Sequence, residues 1–391
     1  MSGAEVVSLG CRLNLAESER IRALLAGSPD VVVVNSCAVT AEAVRHTRQT
    51  IRQMRRARPD ARLLVTGCAA EIEREQLAAM PEVDGLVPNA AKLDPRAWNV
   101  PAQPAQVRPG HTRAFVAVQN GCDHACTFCV IPQGRGPSRS LTVAQVLKAV
   151  ERDLAHGAAE VVLTGVDVTS WGHDLPGSPR LGTLTRAVLD AFPGLPRLRL
   201  SSLDGIEVDE ELFELFAVEP RVMPHLHLSL QHGHDLILKR MKRRHSRADA
   251  VSLVERLRAR RPEIAVGADL IAGFPTEDEP MHRANCSIVR ELGVVHGHVF
   301  PYSQRPRTPA ARMPQVDRVT IRRRAAELRQ ICAEVRESWL RSLIGQPLTI
   351  VAEADGTGHA ETFARVAVPR GTVRGAIVTV TPTRLEEGLL L

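Results

Sequence analysis

Aromatic side chains are scarce: one tyrosine, three tryptophans and eight phenylalanines among 391 residues. Few rings are available for stacking on bases, so any stacking site must be small. Lysine is nearly missing as well. It occurs only at Lys92, Lys148, Lys239 and Lys242, the rest of the 50 basic residues being arginine, a bias that codon usage explains without a recognition role. No run approaches the roughly 18 apolar residues of a membrane helix, and no signal-peptide pattern opens the chain, so a cytoplasmic protein with no membrane partner is expected. Eight cysteines are too sparse for a disulfide scaffold and point to thiolate chemistry in a reducing compartment. What is present is an ordinary soluble composition, 44% hydrophobic and 24% charged, which excludes collagen-like, coiled-coil and disordered classes. The net charge of +6 permits a nucleic-acid partner without establishing one.

Residues 1–97 read as an α/β domain. Short apolar runs at Glu5–Leu9, Val31–Val34 and Arg62–Thr66 alternate with helical patterns at Ala16–Ala26 and Ala41–Arg58, the signature of a parallel sheet. A Pro-rich stretch, Pro101–Gly110, lies in a linker placed at 98–111. From residue 112 to 341 the alternation restarts on a larger scale. Strands are expected at Ala114–Val118, Glu160–Leu163, Leu198–Ser201, Leu226–Leu230, Ile264–Leu270 and His296–Pro301, a partial (β/α)6 barrel. A long helix, Val316–Ile344 capped by Gly345, leads into a small all-β module at 342–391 with strands at Leu348–Ala352, Phe363–Val368 and Ala376–Val380.

Gly121-Cys122-Asp123-His124-Ala125-Cys126-Thr127-Phe128-Cys129 is the most informative segment. Three thiolates at Cys-x3-Cys-x2-Cys spacing wrap three corners of a cubane iron–sulfur cluster and leave one iron open. Closed zinc sites recruit four ligands, often as Cys-x2-Cys pairs, and His124 is awkwardly placed inside the loop to serve as a fourth. Cys11, Cys37 and Cys68 follow the first, second and third expected strands. In a parallel sheet all three emerge at the carboxyl edge. Spacing alone leaves two readings open there: a second three-ligand cluster, or three unrelated buried cysteines. Cys286 and Cys332 fall in helical patterns and read as packing residues.

The Cys-x3-Cys-x2-Cys loop, with an aromatic before its last cysteine, resembles the radical S-adenosylmethionine superfamily. The likeness extends along the chain to its methylthiotransferases. Leu9-Gly10-Cys11-Arg12-Leu13-Asn14 with Glu17-Ser18-Glu19, Val34-Asn35-Ser36-Cys37 and Val65-Thr66-Gly67-Cys68 resemble the family's N-terminal domain. Thr164–Asp167, Arg199–Ser202, Leu228–Gln231, Gly273–Glu277 and Val299–Ser303 resemble its barrel motifs, and Gly358–Phe363 the opening of a TRAM domain. The Gly-Cys-Arg-Leu-Asn opening is most similar to the branch acting on N6-threonylcarbamoyladenosine of tRNA. Gln304 and Arg307 depart from the family pattern, standing where proline and glycine are usual.

The resemblance implies two 4Fe–4S clusters, one on Cys11, Cys37 and Cys68, and one on Cys122, Cys126 and Cys129 that chelates S-adenosylmethionine. It implies addition of a methylthio group to C2 of the modified adenosine beside the anticodon, with two S-adenosylmethionine per turnover, and no certain catalytic side chain. An electron donor of flavodoxin or ferredoxin type and a sulfur source are the other expected partners. Phe128, Ser201, Ser202 and Gln231 are the candidate S-adenosylmethionine contacts, the last three at barrel strand ends. The TRAM-like region carries four arginines against five acids, so phosphate contact there needs a local patch. Arg322, Arg323 and Arg324 of the long helix, with Arg365 and Arg374, are the candidate RNA contacts; the run Lys239–Arg247 is another basic cluster. Competing readings are the isopentenyladenosine branch, the branch acting on a ribosomal-protein aspartate, and a non-catalytic iron–sulfur sensor. Truncation after Gly345 is expected to weaken tRNA binding but spare S-adenosylmethionine cleavage.

Overall fold

The structure, a computed structural model, describes residues 4–28, 30–100 and 112–391. The Pro-rich stretch at 101–110 lies outside the described residues. The chain groups into two compact units that do not follow chain order. One comprises Met1–Gly110, Asn120–Arg139 and Ser303–Ala311; the other comprises His111–Gln119, Ser140–Tyr302 and Arg312–Leu391.

The first unit is built on a parallel sheet of β1 (Glu5–Ser8), β2 (Val31–Ser36), β3 (Arg62–Gly67) and β4 (Gly85–Leu86), in that spatial order. The run Val31–Val34 is apolar throughout because both faces of the sheet are covered. Val33 packs with Val6, Ile21, Leu64 and Trp98, while Val32 and Val34 pack with Val44, Ile51, Leu63 and Val65. Helix α1 (Arg12–Leu24) begins directly after Cys11, earlier than the periodicity indicates. Thr40 caps α2 (Ala41–Ala57) by accepting from the Ala43 amide. Cys68 opens the short α3 (Cys68–Ile72) behind Gly67, whose φ of 91° suits glycine. The segment 120–139 adds α4 (Ile131–Arg135) to this unit.

The second unit carries six parallel strands in two groups of three: β5 (Arg113–Ala117), β6 (Glu160–Thr164) and β7 (Leu198–Leu200), then β8 (His225–Gln231), β9 (Ala265–Ala272) and β10 (Val294–Pro301). Parallel bridges Leu198 to Val222 and Leu203 to Leu228 join the groups. Alternation along β8 sends Leu226, Leu228 and Leu230 into the main core with Val266, Leu270 and the helices. The other face of β8 and β10 bears His225, His227, His296 and His298, whose rings meet across the strands. The barrel strands fall within a few residues of their sequence expectations.

Helix α5 (Arg318–Ser342), N-capped by Asp317, leads into a six-stranded mixed sheet: β11 (Leu348–Ala352), β12 (Thr357–Ala360), β13 (Arg365–Ala367), β14 (Ile377–Val380), β15 (Leu385–Glu386) and β16 (Leu389–Leu390). Its order is β14-β11-β12-β13-β16-β15. This sheet is held to the start of the barrel strands by buried charge. Glu160 takes two hydrogen bonds from Arg199, at 2.8 and 3.1 Å. Arg199 also donates to the Glu361 carbonyl at 3.0 Å, and Arg197 to those of Thr349 and His359 at 2.5 and 3.1 Å. Phe363 stacks on His225 and lies beneath the Arg199 guanidinium.

Thr276, in the turn after β9, has a φ of 68°. A β-branched residue in the left-handed region is strained by about 1–3 kcal/mol. The turn is fastened through its main chain, Thr276 donating to the Pro314 carbonyl and accepting from Arg240. Thr276→Gly keeps both bonds and is expected to stabilise the protein by about 1 kcal/mol, read as a higher urea midpoint with an unchanged slope.

Candidate cofactor site

The Cys122–Cys129 loop is pinched closed at its base. Gly121 has a φ of 78°, and a Cβ there would sit 1.9 Å from the Pro137 carbonyl oxygen. The Cys122 amide donates to the Gly136 carbonyl at 3.2 Å, and Asp123 accepts from the Ser138 amide at 3.0 Å. The three thiols are half-buried. Main-chain amides of His124 and Ile131 point at Sγ of Cys122 and Cys129, each at 3.4 Å. Three accessible sulfurs with amide donors aimed at two of them are the donor set that a cluster carrying thiolate charge requires. Phe128 is half-buried beside them.

At the carboxyl edge of β1, β2 and β3 stand Cys11, exposed, and Cys37 and Cys68, buried. Gly10, φ 89°, makes the approach feasible, since a Cβ there would stand 2.7 Å from Cys37 Sγ. Burial pushes the Cys37 thiol up to about 11, and the neighbouring Cys11 and Cys68 add to the rise while Arg135 opposes it. Burial raises Cys68 too, against the pull of Arg135 and Lys92. Set at the ends of three adjacent parallel strands, the three sulfurs are a donor set for a three-thiolate cluster, whose charge Lys92 and Arg135 would meet. Gly134 lies against Cys68, where a Cβ would stand 3.2 Å from that of the cysteine. Both cysteine sets belong to one compact unit.

Beneath the second set runs a buried polar network. Lys92 Nζ lies 2.5 Å from a Glu17 carboxylate oxygen, and Arg135 donates to both Glu17 oxygens at 2.9 and 3.1 Å. Arg135 also donates to Asn14 and Asn120, at 2.6 and 2.8 Å. Asn14 in turn donates to the Leu9 and Ser36 carbonyls, which ties the strand ends bearing Cys11 and Cys37 together. Asn35 donates to the Asn14 carbonyl and to Ser18. Burial disfavours the Glu17 charge, but Lys92 and Arg135 outweigh it and keep the carboxylate below its ordinary range. Sequence reading passed over Lys92 and Arg135. A signal existed for the first: a lysine is conspicuous in a chain that otherwise uses arginine.

In the second unit, Ser201 and Ser202 follow β7 and Gln231 ends β8, all half-buried. Gln231 has a φ of 67° where the β8–β9 register slips. Asp269 on β9 receives His227 at 3.2 Å and His298 at 3.1 Å, a polar group that sequence reading missed. Burial opposes its charge, and the two imidazoles hold the carboxyl well below the usual range.

The proposed RNA-contacting arginines separate by environment. Arg324 is buried, donating to the Glu277 carbonyl at 2.8 Å and pairing with Glu279, so it faces no phosphate. Arg323 is shared between Glu279 and Glu327. Arg365 pairs with Asp355 at 2.9 Å; Arg322 and Arg374 are exposed. In the run Lys239–Arg247, Arg243 and Arg244 hold Asp204 and Glu207, and Arg247 holds Glu291. These cations chiefly fasten loops. Arg307, where the family pattern has glycine, keeps the left-handed backbone with φ 62° and donates to the Ile72 carbonyl.

Six parallel strands with intervening helices and a three-thiol loop after the first strand are the marks of a radical S-adenosylmethionine fold. Residues 116–284 match the Radical SAM superfamily, and residues 4–88 match the "Uncharacterized protein family UPF0004". The chain is 42% identical to "Threonylcarbamoyladenosine tRNA methylthiotransferase MtaB" of Rickettsia prowazekii, across 99% of this chain and 96% of that protein. It is 33% identical to "tRNA-2-methylthio-N(6)-dimethylallyladenosine synthase" of Chloroflexus aurantiacus, across 90% of this chain and 82% of that one. Among solved structures, the radical S-adenosylmethionine methyltransferase TsrM from Kitasatospora setae aligns with a TM-score of 0.53 at 18% identity. That alignment covers 74% of this chain and 68% of TsrM, and the likeness is one of fold.

The chain belongs to the radical S-adenosylmethionine methylthiotransferase family and is a transferase, its cofactors being 4Fe–4S clusters and S-adenosylmethionine. Among the described residues no helix is long and apolar enough to cross a membrane.

Proposed function

We propose that this enzyme adds a methylthio group to C2 of N6-threonylcarbamoyladenosine beside the anticodon of tRNA. The observation that carries the reading is the pairing of two three-cysteine sets in one compact unit with near full-length likeness to a relative of that printed activity. Cys122, Cys126 and Cys129 would hold one 4Fe–4S cluster, the one that would bind S-adenosylmethionine, and Cys11, Cys37 and Cys68 would hold the other. Two S-adenosylmethionine molecules serve each turnover. The bound groups supply a carbon-centred radical and a transferable methylthio sulfur, since no side-chain acid or base removes an unactivated aromatic hydrogen.

The chain's own residues position and shield. Amides of His124 and Ile131 orient the loop sulfurs, and Asn14 holds two strand ends of the other set in register. Ser201, Ser202 and Gln231 in the second unit, and Phe128 beside the loop thiols in the first, are each candidate contacts to S-adenosylmethionine. The target base leaves its stack to react, which a single-stranded anticodon loop favours. Arg322 and Arg374, exposed, and Arg365 contact phosphate; a reductant of flavodoxin or ferredoxin type and a sulfur donor complete the cycle in the cytoplasm, a reducing compartment suited to cysteines that form no disulfide.

Mass spectrometry of tRNA nucleosides from a deletion strain tests the substrate. Methylthio is expected to vanish from threonylcarbamoyladenosine and to persist on isopentenyladenosine and on the ribosomal protein. Loss from isopentenyladenosine alone would transfer the enzyme to that branch. Loss from the ribosomal protein alone would refute a tRNA substrate.

A further inference from the structure

Lys92 and Glu17 are 1% and 2% exposed, and Arg135 is 5% exposed, so three charged groups are buried side by side. Two cations face one carboxylate, an excess of one positive charge among the described residues of this cluster. Burying charge is costly, and a set that closes at neutrality is the cheaper arrangement. The surplus here has a direction. Arg135 donates to Asn14, whose amide holds the Leu9 and Ser36 carbonyls beside Cys11 and Cys37, and Gly134 next to it lies against the Cys68 Cβ. Burial pulls the Lys92 ammonium below its ordinary range, and Glu17, 2.5 Å away, favours its charged form. Asn14, Asn35 and Asn120 satisfy the remaining donors but bring no counter-charge. Arg135 closes α4, six residues past Cys129, so one guanidinium links the helix behind one cysteine set to Asn14 and Glu17 behind the other.

We propose that Lys92, Glu17 and Arg135 form a built-in positive cradle that sets the reduction potential of the cluster held by Cys11, Cys37 and Cys68. The inference rests on the two-cluster reading above. Adding an electron adds negative charge to the cluster. A nearby buried cation, poorly screened by water, stabilises the reduced form and raises the potential. The cradle acts through its net charge, and its residues touch no substrate.

The test uses the full chain carrying Cys122→Ala, Cys126→Ala and Cys129→Ala, so that one cluster reports, with potentials from titration followed by electron paramagnetic resonance. Arg135→Gln and Lys92→Met each remove the surplus charge. Each is expected to shift the reduction equilibrium at least tenfold toward the oxidised form, about 59 mV for a one-electron couple. Glu17→Gln doubles the surplus and is expected to shift it the opposite way. The double variant Glu17→Gln/Lys92→Met keeps one net positive charge and is expected to leave the potential unmoved.

If a single variant fails to fold, comparing that double variant with Glu17→Gln/Lys92→Met/Arg135→Gln reads the same one-charge difference, at Arg135 alone. Potentials that follow net charge support the cradle. Potentials that stay put, or all shift in one direction, overturn it while iron remains bound. A three-alanine background that binds no iron overturns both this inference and the two-cluster reading.

Discussion

Cys126→Ala is expected to abolish reductive cleavage of S-adenosylmethionine and all methylthiolated product, whereas Cys37→Ala should retain most cleavage and lose the product. The asymmetry follows from the proposed division of labour, in which one cysteine set holds the radical source and the other the sulfur. Cys37→Ala is a mild change in packing terms. It deletes Sγ at a buried position that faces the bare backbone of Gly10, and the Cys37 carbonyl still accepts from Thr47. A lost product therefore reports on chemistry and not on folding. Released 5′-deoxyadenosine and modified nucleoside are measured in parallel under a strong reductant. Iron analysis after anaerobic reconstitution should give about eight irons per chain for the wild type and about four for either variant. Full product from Cys37→Ala, or a wild type that saturates near four irons, would remove the second cluster from the scheme.

Glu160→Gln is expected to destabilise the second unit by about 3–5 kcal/mol, because it leaves buried guanidiniums without their carboxylate. Glu160 is fully buried, bound twice by Arg199 and lying 3.9 Å from Arg197. A loss of this size lowers the thermal midpoint by roughly 10 °C in a unit of this length. The pH dependence gives an independent sign. Burial works against the Glu160 charge, but Arg199 outweighs it and holds the carboxyl below its ordinary range. Its contribution is therefore present above the unfolded carboxylate pKa and is lost as pH falls toward the folded one. The wild type should lose stability in acid more steeply than the variant. A midpoint within about 2 °C of wild type would show that this ion pair is not what secures the base of the barrel.

The same contacts revise the truncation expectation. Cutting after Gly345 removes the carbonyls of Thr349, His359 and Glu361 that Arg197 and Arg199 address, and the Phe363 ring packed on His225. The shortened chain exposes buried charge, so S-adenosylmethionine cleavage is not expected to survive cleanly. Charge reversal at the exposed Arg322 and Arg374 is the better probe of phosphate contact, whereas reversal at the buried Arg324 would test folding.

By itself the sequence determined the elements that depend on local pattern. The runs at Val31–Val34 and Arg62–Thr66 specify strands because burial on both faces demands continuous apolar residues. The spacing within Cys122–Cys129 marks out the proposed cluster loop, because three thiols within eight residues need no knowledge of distant chain. Strand β4 and the short strands of the C-terminal sheet escaped, as two- to four-residue strands carry too little periodicity to read. Only the tertiary structure decided what the scattered charges do. Glu17, Lys92 and Arg135 are far apart in sequence, and a surface lysine and a buried one are written with the same letter. Arg322, Arg323 and Arg324 read as one basic run, yet a helical turn of 3.6 residues faces Arg324 into the interior against Glu277 and Glu279 while Arg322 meets solvent. Charge acts across space, so its partners are set by packing and not by order along the chain.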